Sequence, residues 1–151
     1  MRALGRDIAG DLSREALATL SPGERFRLTV AGRSMRPALV EGDELVAVRT
    51  ADSGRWRLGD VLVLDLPDAG LVVHRLLWIS RATVRTRGDG SGRMDTATPR
   101  ERVIGRVVEA RRNGRDVTEA AVVRRIAWAR QFVAAVAHRL WRKASGRERP
   151  E

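Results

Sequence analysis

Hydrophobic residues change their period twice along this chain, and the changes divide it into regions. Over residues 7–20, Ile8, Leu12, Ala16 and Leu20 recur every four positions with Asp11 and Glu15 between them. That spacing predicts a short amphipathic helix, closed by Ser21-Pro22-Gly23. The period then drops to two: Phe26, Leu28 and Val30 alternate with Arg25, Arg27 and Thr29, the pattern of a half-buried strand. Glu41-Gly42-Asp43 is a turn leading into a β-rich run over residues 44–48, and Leu58-Gly59-Asp60 repeats that grammar before residues 61–64. Asp43 and Asp60 are read as turn residues. Pro67-Asp68-Ala69-Gly70 is a hairpin connection into residues 71–79, the most hydrophobic strand of the chain.

Residues 83–86 and 103–108 complete the β region, with a glycine-rich stretch from Arg87 to Asp95 between them. Short strands punctuated by Gly and Asp predict a mainly β protein built as a folded antiparallel sheet. From Thr118 the period becomes helical. Val122, Ile126, Ala129, Val133, Val136 and Leu140 form one stripe, with Arg124, Arg125, Arg130, Arg139 and Arg142 elsewhere, which predicts a long amphipathic helix. The expected organisation is a helix and turn over 1–24, a β-rich domain over 25–117, the amphipathic helix over 118–144 and a disordered tail over 145–151.

Composition narrows the chemistry. The 151 residues suffice for one core, and the absence of cysteine excludes a disulfide framework and a thiolate metal site. The two histidines lie far apart, so no metal or cofactor is expected. A net charge of +10, almost all arginine, favours an anionic partner. No apolar run is long enough to span a bilayer, which gives a cytoplasmic expectation, with peripheral membrane contact through the amphipathic helix. A helix packed on the domain, or on a second copy to make a homodimer, fits that stripe equally. No base-reading motif is present, so no specific nucleic-acid partner is expected.

One hydroxyl stands out. Ser34 lies between Gly32, which permits a positive φ or a close backbone approach, and Pro37, whose ring restricts φ. A serine nucleophile needs a base, and the candidates are His74, His138 and Lys143. His74 sits inside the apolar strand; a lone histidine there is ordinarily a hydrogen-bonded core residue. Asp89 and Asp95, in the glycine-rich stretch, read by themselves as loop caps.

Taken together, four blocks resemble the serine peptidases of the signal peptidase I and LexA-like superfamily. They are Val30-x-Gly32-x-Ser34-Met35-x-Pro37-x-Leu39 with Glu41-Gly42-Asp43, then Leu58-Gly59-Asp60-Val61, then Val73-His74-Arg75, and last Arg87-Gly88-Asp89 with Asp95 and Ile104-Gly105-Arg106-Val107. The resemblance covers about residues 26–117. It implies a folded β peptidase domain in which Ser34 attacks a peptide carbonyl and His74 is the base, as in the archaeal and endoplasmic-reticulum branch. By motif Asp95 is the orienting acid, with Asp89 in the accompanying Gly-Asp element. Gly32, Arg33 and Met35 would form the nucleophile turn with its oxyanion donors. Met35, Pro37, Val73 and Arg75 would border a peptide or protein substrate bound as an extended strand. Family members of the signal peptidase type prefer small residues before the cut.

The chain departs from the family pattern in carrying Gly88-Asp89-Gly90 in place of Gly-Asp-Asn, and no membrane-spanning run precedes Ser34. Two other classes fit parts of the sequence. A LexA-like module cuts itself, and Ala9-Gly10 resembles such a bond, although it falls in the expected amino-terminal helix. A non-catalytic basic β domain would bind anionic membrane or a protein partner.

Overall fold

The structure, a computed structural model, describes residues 8–9, 14–51 and 54–120. Every strand pairing in it is antiparallel, and the chain is mainly β. In chain order the elements are β1 (Ile8–Ala9), α1 (Arg14–Thr19), β2 (Arg25–Val30), β3 (Glu44–Arg49), β4 (Val61–Leu66), β5 (Gly70–Ile79), β6 (Thr83–Arg87), β7 (Thr98–Pro99), a 3-10 turn (Arg100–Arg102), β8 (Val103–Arg112) and β9 (Arg115–Asp116). The sheet order is β1-β2-β3-β8-β4-β5-β6-β7, with β9 on β8.

Alternation in the sequence becomes alternation in burial. Phe26, Leu28 and Val30 of β2 point inward while Arg25 and Arg27 face water, so burying one face leaves the charged residues hydrated. They pack with Met35, Leu39, Leu45, Val63, Val73 and Ile104 in the larger core cluster. The other face of β4 and β5 contributes Leu62, Leu64, Val72 and Leu76 to a second cluster with Trp56 and Val84. Because β4 is covered on both sides, four successive residues from Val61 to Leu64 are buried. Each fully buried leucine among them contributes about 1.5–3 kcal/mol relative to an exposed one.

The Gly-Asp turns behave as their chemistry requires. Gly42 and Gly59 adopt φ of +89° and +92°, where a side chain would be strained. Asp43 accepts the Val40 amide at 2.9 Å, and Asp60 accepts the Arg57 amide at 2.8 Å. Asp43 is also gripped by Arg112 through two bonds of 2.8 Å, which tie the β2–β3 connection to β8 and raise the Arg112 pKa above its ordinary value. Trp56 is buried in the second cluster, with the Arg100 guanidinium 4.7 Å from its ring centroid.

Two expectations need amendment. Among the described residues the amino-terminal helix is α1 over Arg14–Thr19, and Ile8–Ala9, expected within the helix, is a strand on β2. A short isolated helix is marginal, whereas the open edge of β2 offers backbone partners. The last long strand, expected over residues 103–108 to complete the β region, is β8, which runs centrally, between β3 and β4, and continues to Arg112. It then turns back at Asn113-Gly114, both with positive φ, into β9. This Asn-Gly hairpin turn was legible in the sequence and is an addition to it. Residues 118–120 begin a helix, with the Thr118 amide donating to Asp116. The expected stripe of residues 122–140 and the tail lie outside the described residues.

Candidate active site

Ser34, His74 and Asp95 come from three distant parts of the chain and meet in a line. His74 Nε2 stands 3.1 Å from Ser34 Oγ, and Nδ1 stands 2.5 Å from Asp95 Oδ2. An ionised carboxylate only accepts, so Nδ1 carries the proton and donates to Asp95, leaving Nε2 to accept the serine hydroxyl proton. His74 is 9% exposed, while Ser34 and Asp95 are half-buried. The hydroxyl is therefore reachable and its partner shielded.

Each member has a local reason for its position. Ser34 leaves β2 in a compact turn in which Arg33 O accepts the Arg36 amide at 3.1 Å and Met35 O accepts the Leu39 amide at 3.0 Å. The Met35 side chain, 2% exposed, pins that turn into the larger core. His74 lies mid-strand on β5, opposite Leu62 of β4. Asp95 is held by β6: its amide donates to Thr86 O at 2.8 Å, and Thr86 Oγ1 donates to Asp95 Oδ2 at 2.7 Å. Two donors thus converge on the oxygen that orients the imidazole.

Thr86 was not picked out from the sequence. Its signal was present: it shares the inward face of β6 with Val84, and a hydroxyl on a buried face needs a hydrogen-bond partner.

Asp89 does not touch the histidine. It forms a bidentate pair with Arg75, at 2.7 and 2.6 Å, and Arg75 also donates to Gly59 O at 2.9 Å. Of the two aspartates, Asp95 is the one beside the imidazole. Arg75, expected beside a substrate, is 1% exposed and committed to this internal pair. Met35 and Val73 are likewise buried, and Pro37, after a cis Arg36–Pro37 bond, is exposed. Gly32 does not adopt a positive φ.

The glycine-rich loop is built onto the serine turn. β6 ends at Arg87, opposite Arg75, and the chain passes directly to Gly88-Asp89-Gly90. The Gly90 amide donates to Ser34 O at 2.7 Å. A Cβ at Gly88 would lie 2.4 Å from that oxygen and 2.9 Å from Ser34 Cβ, so only glycine lets the loop approach. A Cβ at Gly90 would meet Arg36 O at 3.0 Å. The second glycine thus brings the loop close to Ser34. Gly88→Ala is expected to displace the hydroxyl and, for a Ser34 that acts as a nucleophile, to lower kcat on the order of 10²-fold, since about 1 Å of misplacement has that effect. Steady-state kinetics beside a thermal melt would separate this from unfolding.

The triad does not line the cavity of about 190 Å³ between Gly59–Val61 and residues 106–110 of β8. Among the described residues no cluster of three His, Cys, Asp or Glu is placed to hold a metal ion, and no helix is long and apolar enough to cross a membrane. The sequence matches no protein-family model and no curated protein.

Proposed function

We propose that this protein is a serine endopeptidase of the signal peptidase I and LexA-like type, using Ser34 as nucleophile, His74 as base and Asp95 as orienting acid. The observation that carries the reading is the continuous run of contacts from Ser34 Oγ through both ring nitrogens of His74 to Asp95. A buried structural histidine has no need of a half-exposed serine on one nitrogen and a carboxylate on the other.

In this reading Ser34 Oγ attacks the carbonyl carbon of a peptide bond while His74 Nε2 takes the hydroxyl proton. Asp95 stabilises the imidazolium so formed, and backbone N–H groups of the Ser34 turn stabilise the oxyanion. The imidazolium then protonates the departing amine nitrogen, leaving an ester on Ser34. Water, deprotonated by His74, cleaves that ester and restores the hydroxyl. The substrate enters as an extended strand against a sheet edge, read through its main chain. The small-residue preference before the cut comes from the family resemblance.

The test is hydrolysis of an unstructured peptide mixture read by mass spectrometry, with Ser34→Ala as control. Products that appear with the native chain and not with the variant support the reading; an uncut mixture in both counts against it. The pH dependence has a defined sign. Only neutral imidazole accepts the proton, so kcat/KM is expected to fall as pH drops through the histidine range, about 6.5 for an unperturbed ring. A flat profile from pH 5 to 8 would exclude His74 as the base.

The exposed basic residues and the expected helix over 118–144 support association with an anionic membrane surface in the same reading.

A further inference from the structure

Four antiparallel steps separate β2 from β5 in the sheet, so the two strands run in the same direction, and both lead into the site. β2 ends at Val30, four residues before Ser34, and β5 carries His74. Both turn toward this approach a backbone edge that neither β3 nor β6 takes. β3 takes one side of β2, and β6 pairs with β5 only from Arg75 onward.

The chain's own β1 lies there. It pairs with β2, Ile8 opposite Val30 and Ala9 opposite Thr29, and lies against β5. Val30 gives its amide and carbonyl to Asp43 and Gly42 on the β3 side. In an antiparallel ladder the neighbouring residue points the other way, so Thr29 directs its backbone pair at Ala9. A peptide reaching Ser34 as an added strand needs those same groups.

We infer that β1 is an autoinhibitory strand, a built-in occupant of the peptide groove that a substrate must displace. The inference rests on the peptidase reading of the Ser34 site. Polarity keeps the occupant from being a substrate: β1 runs antiparallel to β2, so from Ile8 to Ala9 it travels away from Ser34. The Ala9-Gly10 bond, which resembles a self-cleavage site, follows in that direction. Among the described residues the contact is two residues long, short enough to be exchanged for a longer peptide.

The experiment uses full-length chains carrying Ser34→Ala, so that binding is measured without turnover. The probe is a fluorescein-labelled, alanine-rich peptide, followed by anisotropy. Ala9→Pro removes the amide aimed at Thr29 and is tolerated at an edge. It is expected to tighten peptide binding on the order of tenfold, because the fraction of open groove scales the apparent affinity. The pair Ala9→Cys and Thr29→Cys, in a chain with no other cysteine, locks the strand in place. Oxidation should weaken binding at least about tenfold, and dithiothreitol should restore it. Equal affinity in every form, or no binding in any form, overturns the inference. Binding that follows β1 as described, together with no hydrolysis by a chain that carries Ala9→Pro and keeps Ser34, upholds the occupant and refutes the peptidase reading.

Discussion

Ser34→Ala and His74→Ala are each expected to lower kcat/KM for peptide hydrolysis by on the order of 10⁴-fold or more, with no loss of the folded state. The size follows from the way a nucleophile and its base act as a unit, so that removing either removes the concerted proton transfer. Ser34 is half-buried in a turn held by backbone hydrogen bonds and by Met35, none of which needs the hydroxyl, so its variant should melt close to the native temperature. His74→Ala removes the donor facing Asp95, but Thr86 still bonds that carboxylate, which limits the structural cost.

Asp95→Asn is the more informative companion. An amide nitrogen facing Nδ1 favours the opposite tautomer, with the proton on Nε2, where it cannot accept from Ser34. Its rate should fall nearly as far as in the other two. If Asp95→Asn retained native activity while Asp89→Asn lost it, the assignment of the orienting acid would be reversed. Loss in both with a native pH profile in neither would point instead to a distorted loop.

Arg75→Met is expected to destabilise the protein by about 3–5 kcal/mol, the cost of leaving one member of a buried ion pair uncompensated. The side chains of Arg75 and Asp89 are 1% and 9% exposed, and the bidentate geometry leaves water little access to either. Urea denaturation at constant m-value measures the loss. Combining Arg75→Met with Asp89→Leu should recover part of it, because two apolar residues of similar volume carry no stranded charge. Activity should not recover in parallel. The pair anchors the loop between β6 and Asp95 onto β5, and the same loop bonds Ser34 through Gly90, so apolar repacking restores stability without the alignment of three side chains. Recovery of both together would mean that the ion pair serves stability alone.

The strands and turns were the most legible part of this chain. Phe26, Leu28 and Val30 alternate because one sheet face meets core and the other water, and that cause is local to the strand. The glycines of Gly42-Asp43, Gly59-Asp60 and Ala69-Gly70 adopt positive φ for reasons contained within a few residues. The amino-terminal segment misled for the complementary reason. Its four-residue spacing describes a helix taken in isolation, while the choice at Ile8–Ala9 belongs to the second edge of β2, a strand paired on its other side with β3 and about twenty residues away.

Candidate chemistry was legible as residue types and not as partners. Motif order brought forward Ser34, His74, Asp89 and Asp95 and gave the acid's place to Asp95, but motif order contains no distances. Distances came from the sheet. β8 inserts between β3 and β4, which places β5 one strand beyond and lets the Ser34 turn meet His74, while β6 returns Asp95 to the far ring nitrogen. Thr86 and Arg75 acquired their roles in the same way, as partners made near by pairing.

The sequence by itself determined where the chain extends, where it turns and which side chains can accept or lose a proton, since backbone preference and ionisation are properties of short stretches. Only the tertiary structure decided which of those groups touch. A hydrogen bond between residues 40 positions apart depends on strand order and register, and these are set by the burial of the whole sheet.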